Sequence, residues 1–463
     1  MYKRLYFFGF AAYVFMLILS ILFYKERIIF LDAAFSLFNI VKDNGFCIQH
    51  YRFGDVCTQI LPVIATKAGL PLDLILRSYS GGYIIYYFIA YFVCGSILKR
   101  YDLALVILLM NVLFISDTFY WMLSQLPQAI ALLMILLAVV SRQENTTGIF
   151  KWAIVLLLEV TIVFFHPLTV LVLMFAIIFF RLSKSLFAGS RTLYIVGIIY
   201  ILLVVIKVIF FKDPYEVHSA SGLRNLITLF PNYVTIFSNE RFLYNCLVKY
   251  YWMPVLFIGT VTFYIKSRQF QKLLFFVGFF LGYLWFVNIL YPTAITPEFY
   301  IENLYLPLSV FLGLPFVFDI LPALGKNNID TLVFLLILLT GCIRIYNTHT
   351  TYTQRLVLER KYLDAYGDKK VILKAKKTDT DHLLMLWGTP YEFLLLSESE
   401  RHKPASIIID DAPALRPWAA NEKKALVVNW NLFPYSQLNP KYFQFADTTS
   451  GYIIDPVVLV NDH

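Results

Sequence analysis

The feature that most constrains this chain is a succession of apolar runs separated by short basic connections. About eleven runs are long enough to cross a bilayer. They lie near 5–23, 79–98, 102–116, 118–140, 151–166, 168–182, 192–211, 251–266, 273–290, 304–323 and 330–346. With 59% hydrophobic and only 15% charged residues, composition agrees: this is the make-up of a multi-spanning membrane protein. The 43 Phe and 32 Tyr suit helices that pack in lipid and anchor at its interfaces. The expected fold is an all-α polytopic bundle followed by a small C-terminal α/β domain.

Lys and Arg set the expected orientation. Alternate ends carry Lys3/Arg4, Lys99/Arg100, Arg142/Lys151, Arg181/Lys184/Arg191, Lys266/Arg268/Lys272 and Lys326. Short basic connections of this kind face the cytoplasm. The opposite connections are tight turns around Asp117 and His166, or long loops through 24–78, 212–250 and 291–303. The opening Met-Tyr-Lys-Arg and the apolar run after it lack a small-residue cleavage site, which reads as an uncleaved signal anchor. An N-terminus in the cytoplasm and an odd number of spans put the C-terminal tail outside. The net charge of +9 sits in the membrane part, because the tail from Thr348 onward has 14 basic and 14 acidic residues. The excess reports topology and is no argument for nucleic acid binding.

The transmembrane domain is expected over 1–347 and the extracytoplasmic α/β domain over 348–463. Strand-like runs appear at 370–374, 383–387, 406–410 and 425–429, with a helical piece over Tyr391–Ser397. No Gly-rich phosphate loop and no two-fold repeat are visible. The five cysteines include no Cys-x-x-Cys pair, which argues against a zinc or redox motif. Cys47 and Cys57 share the first outward loop and can form a disulfide if that compartment is oxidising.

The chemistry-bearing residues concentrate between Ile28 and Arg77. In a helix, Asp32, Ser36, Asn39 and Asp43 make one narrow polar stripe in an otherwise apolar segment. Such a helix lies at the membrane–water boundary with its polar groups toward a wet cavity, or simply braces the bundle. Asp32 is the first candidate for a general base. His50 and Arg52 are candidates to bind a phosphate, Arg52 by its planar fork, while Asp55 either pairs with Arg52 or takes part in the chemistry. Gln59 follows in the same loop.

Asp117, Trp121, Gln125 and Gln128 recur about once per helical turn, either as a cavity wall or as interhelical hydrogen-bonding groups. Glu159 and His166 lie on nearly one face, and a buried Glu there needs a partner such as Lys207 or His166. That arrangement also suits a proton-coupled transporter or lipid flippase. Glu298 and Glu302 stand at i and i+4 beside Tyr300, able to hold a sugar or a divalent cation, or only to solvate a helix start. No cofactor is identified beyond that cation.

One early carboxylate, Asp32 (with Asp55 further along), amphipathic helices in the first outward loop and an outward C-terminal domain together resemble the GT-C superfamily of membrane glycosyltransferases. The resemblance implies transfer of a sugar from a polyprenyl-phosphate carrier to a glycan or lipid-linked acceptor on the outer face, for a cell-envelope polysaccharide. No eukaryotic sorting signal is visible, which fits a bacterial inner membrane. It implies Asp32 and Asp55 as catalytic residues. Gln128-Ala-Ile-Ala-Leu-Leu followed by Phe165-His-Pro-Leu is similar to polysaccharide polymerases of the Wzy and EpsG type. Substrate-binding roles are expected for His50, Arg52, Gln59, Gln125, His166, Glu298 and Glu302, with the carrier-linked sugar, the acceptor and membrane lipids as partners.

Overall fold

The computed structural model describes residues 1–122, 125–141, 148–183, 191–215, 221–294, 296–325, 328–367, 369–412 and 416–454. The protein is an α-helical membrane protein. Among the described residues six helices are long and apolar enough to cross a bilayer: Tyr2–Leu22, Leu72–Ile97, Arg191–Phe210, Phe270–Leu290, Glu298–Leu324 and Ile329–Tyr366. A seventh crossing results if the pair Phe237–Val248 and Trp252–Lys266, bent by 91°, acts as one broken span.

Four expected runs form shorter helices: Tyr101–Leu113, Gln125–Val140, Ile149–Phe165 and Thr169–Leu182. A 13-residue helix is about 20 Å long, well under a hydrocarbon core of about 30 Å. The deficit is tolerable because Leu103–Leu113 is buried in the bundle rather than in lipid. Helices Tyr2–Leu22, Glu298–Pro315, Gln125–Val140 and Ile329–Tyr366 surround it. Gly341 allows the closest approach, since a Cβ there would stand 2.5 Å from the Val112 carbonyl oxygen.

Where Tyr101–Leu113 ends, the backbone must be satisfied without water. Arg344 donates to the carbonyls of Val112 and Ile115. Glu302, fully buried, accepts from the N–H groups of Ser116 (2.8 Å), Asp117 (3.3 Å) and Thr118 (2.9 Å), and from the hydroxyls of Thr118 and Tyr250. The chain therefore turns at Asp117–Phe119 and re-enters a helix at Gln125. This corrects the expectation of one helix over 118–140: Asp117 pairs with Lys249 at 2.7 Å and shares no helix face with Gln125.

The basic ends cluster at one pole. Arg4 meets Asp330 at 3.2 Å, Arg100 meets Asp102 at 2.9 Å and Lys272 meets Asp319 at 2.9 Å. Tyr2, donating to the Val317 carbonyl at 3.0 Å, ties the first helix to this pole. Arg142, Lys184 and Lys326 lie outside the described residues.

Beyond the bundle, helix Ile329–Tyr366 runs unbroken for 38 residues and delivers the chain to a small sheet. Strands β1 (Lys370–Lys374), β2 (Ser406–Asp410) and β5 (Ile453–Ile454) run parallel in the order β2-β1-β5, with Ile372 beside Ile408 and Ile454. Continuous Val/Ile runs are what a strand covered on both faces requires. Strands β3 (Ala425–Val427) and β4 (Leu432–Pro434) form an antiparallel pair.

The run 383–387 is not a strand. Helix Lys377–Leu383 ends in it, Leu384 takes a left-handed φ of 64°, and Leu384, Met385 and Trp387 pack against the bundle core. The expected helical piece extends to Thr389–Arg401, which packs between β2 and helix Leu31–Asp43. Cys47 and Cys57 are free thiols, so the disulfide does not form. Cys47 is held instead by Gln59, whose side-chain amide closes on both its N–H and its carbonyl at 2.8 Å.

Candidate functional site

At the end of the bundle away from the basic pole, a cavity of about 900 Å³ opens beside helix Leu31–Asp43. Its polar wall includes Asp32, Ser36, His50, Arg52, Asp55, Gln125 and His166. Aromatic walls are supplied by Trp121, Tyr215, Tyr291, Phe299, Tyr300, Trp387 and Trp430, and an apolar flank by Leu223, Phe286, Val287 and Leu290. The volume and the mixture of apolar surface with few converging polar groups are those of a small-molecule site.

Asp32 is placed by the start of its helix. Leu31 has a left-handed φ of 43°, a conformation that costs a side-chain-bearing residue about 1–2 kcal/mol. Its N–H donates to Glu392 Oε1 at 2.6 Å, and Glu392 is itself paired with buried Arg355 at 3.0 Å. Asp32 then lies in the first helical turn, where the helix dipole favours negative charge. Trp121 Nε1 donates to Asp32 Oδ2 at 2.9 Å. Burial pushes the Asp32 carboxyl above the usual carboxylate range, opposed by the Trp121 hydrogen bond and the charges of Arg52 and His50. Of the polar stripe, Asp32 and Ser36 line the cavity, while Asn39 donates to the Phe35 carbonyl and Asp43 pairs with Lys42 in solvent.

The turn after this helix bends through two consecutive left-handed residues, His50 (φ 53°) and Tyr51 (φ 54°). His50 Nδ1 lies 2.8 Å from Asp213 Oδ2, and its ring stacks on Tyr215 at 4.5 Å. Arg52 does not pair directly with Asp55. Gln125 stands between them, accepting from Arg52 Nη1 at 2.5 Å and donating to Asp55 Oδ2 at 3.1 Å. Arg52 Nε and Asp55 Oδ1 are buried with no hydrogen-bond partner among the described residues. Burial pushes Asp55 up to about 7, against the charge of Arg52 and the Gln125 hydrogen bond. Gly54 permits this turn, because a Cβ there would meet the Phe165 ring at 2.4 Å.

His166 follows Phe165 and ends helix Ile149–Phe165. Its Nδ1 accepts from the Leu168 N–H at 3.2 Å, so in the neutral ring Nε2 carries the proton. Three expected binding residues stand apart from the cavity. Both ends of the Gln59 amide are occupied by Cys47. Glu302 closes the turn at 116–118, and Glu298 bonds Asn245 at 2.6 Å and Lys249 at 3.1 Å. No group of three or more metal-ligating residues occurs among the described residues. Glu159 is buried, and neither carboxylate oxygen has a hydrogen-bond partner there, so the expected pairing with Lys207 or His166 is not made through them.

The cavity also gathers residues that sequence reasoning passed over: Tyr215, Trp387 and Trp430. Trp387 was hidden in an apparent strand, and its only signal is the Gly-Thr-Pro helix start that follows it. Chemically, the site joins two carboxyl groups, the half-buried Asp32 and the buried Asp55, to a cationic guanidinium and two imidazoles inside aromatic walls. Comparison with protein-family models, curated proteins and solved structures finds no match for this chain.

Proposed function

We propose that the protein is a membrane glycosyltransferase that moves a sugar from a polyprenyl-phosphate-type donor to a glycan or lipid-linked acceptor on the outer face of the membrane. The observation that carries this reading is the shared cavity of Asp32, Arg52, His50 and His166, on elements drawn from three separate stretches of the chain. In the proposed reaction Asp32 takes the proton of the acceptor hydroxyl as its oxygen attacks the anomeric carbon. The bond from that carbon to the phosphate oxygen breaks, and the carrier phosphate leaves with the electron pair. Arg52 and His50 stabilise the departing phosphate, and the apolar flank of the cavity takes the carrier's first isoprene units.

The finer layout belongs to the same proposal. The basic pole faces the cytoplasm and the N-terminus lies there. The shorter helices count as crossings, for about eleven in all, in a bacterial inner membrane. Residues 348–463 form an extracytoplasmic domain that covers the acceptor side.

The test is sugar incorporation by membranes carrying Asp32→Asn. Product should disappear while membrane insertion is unchanged, and unchanged product would refute the assignment. The polymerase reading is favoured by one observation, the presence of His166 in the cavity. It predicts that His166 and the loop arginines Arg224 and Arg241 control glycan chain length more strongly than Asp32 controls product formation.

A further inference from the structure

The geometry points to an acceptor-glycan platform formed by Trp387 and Trp430, a subsite that rests on the glycosyltransferase reading. Trp387 lies between helices Lys377–Leu383 and Thr389–Arg401, and Trp430 in the turn between β3 and β4. Their rings come to 5.1 Å between centroids with planes 37° apart, and both line the cavity that holds Asp32. Trp430 is 70% exposed, a large apolar surface that packing of the fold does not use.

Its position is nevertheless built. Asn429 Nδ2 donates to the Trp387 carbonyl at 2.7 Å, and Asn429 Oδ1 accepts from Arg416 Nη2 at 2.9 Å. Arg416 in turn pairs with Asp410 at 2.6 Å. The guanidinium charge is thereby answered by Asp410 and does not stand unpaired beside the two indoles. A flat, exposed aromatic face with no unpaired charge from Arg416 beside it fits the C–H face of a neutral pyranose. It does not fit a phosphate, which the cationic Arg52 end of the same cavity would hold. Donor and acceptor would thus be held by different residues of one cavity, which Asp32 also lines.

The test uses the full chain in lipid nanodiscs and a panel of short neutral oligosaccharides (gluco, galacto, manno, rhamno and N-acetylglucosamine series), read by saturation-transfer NMR. At least one series should bind, with saturation strongest on ring C–H protons. Trp430→Ala and Trp387→Ala should weaken that binding about tenfold, the scale of one aromatic contact. Trp430→Phe should restore it, and Gln59→Ala, at a residue outside the cavity, should leave it intact. No binding across the panel, or equal binding by Trp430→Ala, overturns the platform. So does brominated-lipid quenching of tryptophan emission that falls in Trp430→Phe, which would mark the residue as a membrane anchor. Binding that depends on the two indoles without any sugar transfer by membranes would leave the platform standing and remove the transferase reading. Transfer with an acceptor KM indifferent to Trp430→Ala would do the reverse.

Discussion

Glu392 Oε1 accepts the backbone N–H of Leu31 at 2.6 Å, joining residues 361 positions apart. The bond holds a left-handed leucine immediately before Asp32, and Glu392 is held by Arg355, which also pairs with Glu359. Removing Glu392 leaves the buried Leu31 N–H without its acceptor, at about 1–3 kcal/mol, and takes from Arg355 one of its two carboxylates while Glu359 stays. Glu392→Ala should therefore lower the thermal midpoint of the detergent-solubilised protein sharply. Glu392→Gln, which keeps an acceptor for Leu31, should fall between the two. Fluorescence-detected size exclusion after heating measures the order.

Asp32 and Arg52 should separate by kinetic signature. Loss of a general base typically lowers turnover by about 10²–10⁴-fold, so on the proposed transferase reading Asp32→Asn should lose turnover with little change in donor KM. Arg52→Ala should raise donor KM as well, and it should free Gln125 and Asp55 from their relay. Radiolabelled sugar transfer at varied donor concentration distinguishes the two patterns.

Asp55 makes stability depend on pH in a defined direction. Its carboxyl is raised from about 3.9 in an unfolded chain to about 7 in the fold, chiefly by burial. The folded state therefore prefers the protonated form. The contribution of this group is fully present below the unfolded value and is lost as pH rises through about 7. Relative to Asp55→Asn, the wild type should lose thermal stability between about pH 4 and pH 8. Melting curves across that range check the sign, and a difference that grew in the other direction would contradict it.

Gln59 and Glu302 should behave as supports. Gln59→Ala leaves the Cys47 N–H and carbonyl without partners, at about 1–3 kcal/mol, and should not change donor KM. Glu302→Ala strands three backbone N–H groups in a buried turn, and it should reduce the yield of folded protein more than Gln59→Ala does. Thermal shift for both, with KM measured for Gln59→Ala, tests the assignment.

The helical membrane class was legible because a bilayer demands long apolar runs, and nothing about tertiary contact is needed to see them. Asp32, His50, Arg52 and Gln125 were legible for a related reason: polar residues flanking apolar segments need a wet or paired destination. The short helices were not. Tyr101–Leu113 ends where Glu302 and Arg344 accept and donate for its turn, and neither residue is its sequence neighbour. The same blindness misread Glu302 as a ligand, since an inward acidic residue looks alike whether it meets substrate or backbone. Trp387 and Trp430 escaped notice because single aromatic residues in a soluble-looking tail carry no periodicity.

The helix Leu31–Asp43 is buried between the bundle on one side and Tyr391, Phe433 and Phe443 on the other, with Asn439 donating to the Val41 carbonyl. During synthesis at about 5–20 residues per second, this helix emerges roughly twenty to seventy seconds before Glu392, 361 residues later, can bond it. Until then its outer flank lacks the side chains that cover it in the fold. The pocket is complete around Asp32 only once the tail that carries Trp387 and Trp430 has been made and has docked.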